Sequence, residues 1–153
     1  EFSSWAEKGQ LLKDRLLALV DEDTRAFNAI MAAFGLPKDT DEQKSARKTA
    51  IQEASQYATE VPFRTLQVAV ESIPLIQAMI EKGNPNSLSD AGVGAACLLT
   101  AMQGAWMNVL INAQGLEDKA WAKDISQRAE QLIQEGRSAC NAMMAEVEKR
   151  LRG

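Results

Sequence analysis

The stretch Leu19–Phe34, LVDEDTRAFNAIMAAF, closes a run of apolar residues at 2, 5, 12, 16, 19, 20, 27, 30 and 34. That spacing is helical and shows no strand alternation. An unbroken helix of this length extends roughly 50 Å. Gly9 is its weakest interior position, and Gly35 followed by Pro37 ends it in the order expected of a helix C-terminus. A chain of 153 residues holding such an element has room for one domain with a real core.

The same period continues downstream. Thr40 is an N-cap with Gln43 in capping-box register. A second helix runs through Ala46, Ile51, Ala54, Tyr57 and Ala58, and Pro62 stands where a third begins, since a first-turn proline sacrifices no hydrogen bond. Leu66, Val70 and Ile73 give the third helix its apolar side, and Pro74 kinks or divides it. The segment KGNPNSLSDAG is the strongest break, and its Ser87 and Asp90 fit the S-x-x-D capping pattern. A fourth helix spans about 88–113, and a fifth runs from Glu117-Asp118 to the basic end EKRLRG. The expectation is all-α: one domain over 1–153, an antiparallel bundle of about five long helices, one kinked or divided at Pro74.

Composition removes several kinds of chemistry. The chain has no histidine, the commonest general base and zinc ligand. Its two cysteines, Cys97 and Cys140, form no CxxC pair, so we expect a reducing, cytoplasmic compartment and no metal. The net charge of -4 argues against nucleic acid as a partner. No unbroken apolar run of membrane-spanning length appears, so no membrane partner is expected. The start, EFSSWAEKGQ, has no initiating methionine and no signal-peptide pattern, which points to a piece of a longer chain.

One residue is out of place. The helical row Leu16, Val20, Asp23, Phe27, Ile30, Phe34 is apolar except for Asp23. At about 100° per residue Asp23 shares that row, whereas Glu22 falls with Arg15, Ala18, Arg25 and Ala29 on a face expected to be solvated. An inward carboxylate is either paired structurally or desolvated into a useful proton carrier. On the fourth helix Gly94, Ala101, Ala105, Asn108 and Asn112 make a narrow strip of small residues ending in two amides, suited to close helix packing or to a flat ligand. Asn84, Ser89 and Asp90 lie beside a helix N-terminus, where they cap it or meet a polar head group. Arg47 and Arg64 are candidate anion contacts that are otherwise solvated, and the six methionines read as core filler.

Four blocks taken together, VDEDTRAFNAIMAAFGLPK, RKTAIQEASQYATEVPF, GNPNSLSDAGVGA and GAWMNVLIN, resemble the cyclodeaminase domain of formimidoyltransferase-cyclodeaminase. The same family includes stand-alone methenyltetrahydrofolate cyclohydrolases. The resemblance implies an all-helical, dimeric protein acting without a metal on tetrahydrofolate as the one-carbon carrier. The reaction it implies closes 5-formimidoyltetrahydrofolate to 5,10-methenyltetrahydrofolate and releases ammonia. It implies a catalytic role for the second aspartate of the V-D-x-D block, here Asp23. Arg47, Arg64, Asn84, Ser89, Asp90, Asn108 and Asn112 are then expected to bind the folate. A glycine-rich PGGGS segment and a small-residue helix that usually precede this region are absent from the sequence. The resemblance fits both a stand-alone protein and one fused to a formimidoyltransferase domain. The alternatives are methenyltetrahydrofolate cyclohydrolase and a non-catalytic helical dimerisation module.

Overall fold

The computed structural model describes residues 2–153, and every regular element among them is helical. Helix α1 spans Phe2–Phe34, α2 Asp41–Glu71, α3 Ile73–Lys82, α4 Leu88–Gln114 and α5 Lys119–Arg152, with a 3₁₀ turn at Pro85–Ser87. The all-α architecture matches the expectation, but four helices are long rather than five. The side chain of Phe2, counted in the predicted stripe, lies outside the described residues.

The miscount comes from Pro62. It starts no helix; α2 runs straight through it. A proline cannot donate to the carbonyl four residues back, which here is that of Ala58. The donor comes instead from α4, where Asn112 Nδ2 reaches the Ala58 oxygen at 2.8 Å. The chain breaks at Ser72, and Pro74 falls in the first turn of α3, where a missing N–H is tolerated.

Local signals set the other ends. Thr40 Oγ1 accepts from the Gln43 N–H at 3.2 Å while Gln43 Oε1 accepts from the Thr40 N–H at 3.2 Å, a complete capping box. Asp118 caps α5 by accepting from the Trp121 N–H at 2.9 Å. Ser87, expected as a cap, makes no side-chain capping bond; Asn84 makes one, accepting from the Asn86 N–H at 3.0 Å. Gly9 does not break α1. A Cβ there would stand 3.0 Å from Leu75 Cδ2, so the glycine admits α3 close to α1.

The main core lies between α2, α4 and α5, with α3 closing one end, and Leu66, Met102, Val109, Ile133 and Cys140 are fully buried in it. At Gly136 a Cβ would meet Met102 Sδ at 2.5 Å, which is why α5 approaches α4 through a glycine. Helix α1 lies outside this core, along α2. It buries Leu12, Leu19 and Ala26 against Ala58, Val61 and Val68. The buried row on α1 is therefore Leu12, Leu19, Ala26, Ala33, not the row of Val20, Phe27 and Phe34, which are 63%, 60% and 51% exposed. A helix resting mainly on one neighbour buries a narrow stripe, and the tight seam selects small alanines over phenylalanines.

Helix α4, with its preceding 3₁₀ turn, is long and apolar enough to cross a membrane by length and composition, which the lack of an unbroken apolar run did not anticipate. Asp90 is its single charge. It packs along α2 and α5 and against α3 as a bundle helix, while Val93, Met107 and Ile111 remain exposed on its outer flank.

Candidate active site

Helices α1 and α4 both lie along α2 with their backbones apart, so a trough runs between them with α2 as its floor. It contains a groove of about 310 Å³. Leu16, Leu19, Val20, Asp23 and Thr24 of α1 form one wall, Ala101, Ala105 and Asn108 of α4 the other, and Pro62 and Thr65 the floor. A volume near 300 Å³ is at the lower end of small-molecule sites.

Asp23 and one of the two amides of the α4 strip, Asn108, thus meet across one groove. Asp23, however, is exposed, not sunk in a dry interior. The reason is the phase of α1: its covered stripe passes between positions 22 and 23, so both flanking carboxylates emerge at the sides of the seam. Ala101 and Ala105 carry no side chain beyond Cβ, which opens the α4 wall and leaves Asn108 as its polar group.

Thr24 and Thr65 also line the groove, and neither was picked out from sequence. Each donates its hydroxyl proton to its own helix, Thr24 to the Val20 carbonyl at 3.3 Å and Thr65 to the Val61 carbonyl at 3.1 Å. Their oxygens retain lone pairs to accept from a ligand. Thr65 stands three residues after Pro62, one turn along the same face, which is the signal that marks it.

Glu22 faces the other side of the seam and is not solvated as expected. Arg64 donates to its carboxylate through Nη2 at 2.7 Å and Nη1 at 3.0 Å, and the Tyr57 hydroxyl donates to it at 3.1 Å. The Arg64 hydrogen bond holds the Glu22 carboxyl below the usual glutamate range, and the same bond raises the Arg64 guanidinium. Arg64 is engaged in this pair and is not among the residues that line the groove. Arg15 and Glu71 form a similar pair further along the seam.

Arg47, in the second turn of α2, reaches back to the end of α1, where Nη2 donates to the Phe34 carbonyl at 3.1 Å and the guanidinium lies 5.7 Å from the Phe34 ring centre. It lines a second cleft of about 320 Å³ with Lys38, Lys44 and Lys48. Lys44, Ile51 and Pro62 fall on one face of α2, so this basic cleft lies on the line of the groove floor. At 1.5 Å per residue Arg47 is about 22 Å from Pro62 along the helix. Asn84, Ser89 and Asp90 gather instead at the start of α4, and Asp90 alone is about 16 Å of helix from Ala101. They do not join the groove. Asn112 points its amide at α2, as described. Among the described residues no three of His, Cys, Asp and Glu cluster to hold a metal ion.

Known proteins match both sequence and fold. A sequence profile described as formiminotransferase-cyclodeaminase matches residues 1–131. The chain belongs to the formiminotransferase-cyclodeaminase family. A methenyltetrahydrofolate cyclohydrolase of Methylorubrum extorquens is 41% identical over 143 residues, 94% of this chain and 68% of that protein. The formimidoyltransferase-cyclodeaminase of Sus scrofa is 37% identical over 136 residues, 89% of this chain but only 25% of that protein. The crystal structure of a formiminotetrahydrofolate cyclodeaminase from Thermotoga maritima superposes with a TM-score of 0.69 at 23% identity, covering 94% of this chain and 66% of that one. The family's helical fold is therefore this chain's fold.

Proposed function

We propose that the groove binds a tetrahydrofolate and that the chain is a formimidoyltetrahydrofolate cyclodeaminase. The observation that carries this reading is the meeting of Asp23 and Asn108 across a groove walled by Ala101 and Ala105, in a chain of this family. In the reaction, N10 of the folate adds to the carbon of the protonated formimidoyl group on N5, forming the five-membered ring and turning the C=NH2+ nitrogen into an amino group. The N10 proton then has to reach the amino group on that carbon, because ammonia leaves far more readily than amide. Asp23 takes the proton from N10 and delivers it to the departing nitrogen; loss of ammonia leaves the 5,10-methenyl bridge. A positioned acid/base contributes typically about 10²–10⁴-fold, and holding N10 against the carbon supplies much of the rest.

The flat pterin suits the alanine wall, with the Asn108 amide offering both a donor and an acceptor to its edge. The basic cleft at Arg47, about 22 Å along α2 from Pro62, is assigned to the glutamate carboxylates of an extended folate, with Arg47 and Lys38 as their contacts. No role in folate binding is assigned to Arg64, Asn84, Ser89 or Asp90. The reading includes a homodimer, in which a second copy covers the exposed outer row of α1.

A second reading is favoured by the Methylorubrum extorquens relative, named as a methenyltetrahydrofolate cyclohydrolase. There water adds to the same carbon and Asp23 takes its proton. Incubation with 5-formimidoyltetrahydrofolate and, separately, with 5,10-methenyltetrahydrofolate, following the methenyl absorbance, decides between them. Appearance of the band supports the cyclodeaminase, its accelerated loss the cyclohydrolase, and no change with either substrate defeats both.

A further inference from the structure

The pairing of Pro62 with Asn112 goes beyond the residues facing the groove. Pro62 removes the N–H that Ala58 O would accept from within α2, and its ring crowds that carbonyl outward. Ala58 is only 7% exposed, so solvent does not take over the bond. The bond is made from the neighbouring helix, by Asn112 Nδ2 at 2.8 Å. Its position matters for the groove. Pro62 is part of the floor, and Asn108, one turn before Asn112 on α4, is part of the wall. The hydrogen bond therefore ties the turn of α4 that carries Asn108 to the turn of α2 that carries Pro62.

We propose that Asn112 is a positioning residue. Its amide replaces the hydrogen bond that Pro62 forgoes and so fixes the distance between groove floor and Asn108 wall, without touching the substrate. The kinetic part rests on the folate reading above; the hydrogen-bond part does not. The logic is reciprocal. With alanine at 62 the backbone N–H returns, the Ala58 carbonyl is satisfied within α2, and the Asn112 amide becomes dispensable.

A double-mutant cycle on the whole chain tests this, with Asn112→Ala, Pro62→Ala and both together. Melting temperature and kcat/KM are read for each. Asn112→Ala alone is expected to lower the melting temperature and to cut kcat/KM by about 10-fold, mainly in kcat, whereas in the Pro62→Ala background its effect on both shrinks to about 3-fold or less in kcat/KM and to little in melting temperature. Equal melting losses in both backgrounds overturn the proposal. So does recovery of the melting temperature with an unrelieved loss in KM, which would make Asn112 a substrate contact. If Asn112→Ala does not fold, the double variant must; its failure too overturns the compensation. A wild type inactive on both folates removes the functional reading, while the thermal cycle still decides the hydrogen bond.

Discussion

Arg64 and Glu22 clasp α1 to α2 on the flank of the seam opposite Asp23, through two hydrogen bonds of 2.7 and 3.0 Å to one carboxylate. The pair shows how two adjacent acids of one helix take different parts: Glu22 is held by a cation and a phenol, and Asp23 is left for the groove. Because Arg64 lowers the Glu22 pKa in the folded chain, the pair stabilises the fold fully above the unfolded glutamate value of about 4.3 and loses that contribution as pH falls through the lower folded value. The side chains are 41% and 21% exposed, so screening limits the pair to about 1 kcal/mol. Glu22→Gln should therefore melt below the wild type at pH 7, and the two melting curves should converge in acid below the folded value. Curves that stay apart in acid mean that the difference is not ionic. Arg64→Met should lower stability by a similar amount and leave KM for the folate unchanged.

Asp23 is exposed and makes no hydrogen bond or ion pair among the described residues, so its removal should affect chemistry and not folding. Asp23→Asn keeps the shape and loses the proton carrier. Turnover is expected to drop by about 10²–10⁴-fold, with the melting temperature unmoved. Asp23→Leu, which would stabilise a dry interior site, should instead be close to neutral, within about 0.5 kcal/mol. Retention of wild-type turnover by Asp23→Asn takes the acid/base role away from this residue.

Asn108 stands on the small-residue wall without a structural bond of the kind that occupies Asn112. Asn108→Ala should raise KM or lower kcat by about 10-fold, the order of one lost hydrogen bond to a buried ligand, again with little change in stability. Unchanged kinetics would leave the amide as ordinary helix surface.

What the sequence made legible follows the reach of each interaction. The Thr40–Gln43 box spans three residues and could be read directly; the Glu22–Arg64 clasp spans forty-two and could not. Helical period revealed α1 but not which of its apolar sides is covered. The bulky Val20, Phe27 and Phe34 outweigh Ala26 and Ala33 in any count of hydrophobicity, yet the close seam with α2 takes the alanines. Pro62 looked like a helix start because the donor that repairs α2 there, Asn112, sits fifty-four residues from the Ala58 carbonyl it satisfies. Asp23 and Asn108 were both found for being polar in apolar rows. The groove that joins them was not visible, since it depends on α1 and α4 sharing α2 with their backbones apart.

The outer row of α1 gives the remaining expectation. Val20, Phe27, Met31 and Phe34 are 63%, 60%, 54% and 51% exposed and stand within four turns of one helix. An exposed row of large apolar side chains marks an interaction site more often than bare solvent-facing skin, and an aromatic within it carries much of the association energy. With a second copy as the occupant, Phe27→Glu places a charge in the centre of the contact and should convert the dimer to monomer at micromolar concentration. Sedimentation velocity reads this directly. Since Phe27 is exposed in the single chain, the variant should remain helical, so a loss of far-ultraviolet helical signal would indicate a folding role instead. A wild type that sediments as a monomer at the same concentration rules out pairing through this face. If Phe27→Glu stays dimeric, the two copies meet elsewhere. The outer flank of α4, with Val93, Met107 and Ile111 exposed, is then the face to test.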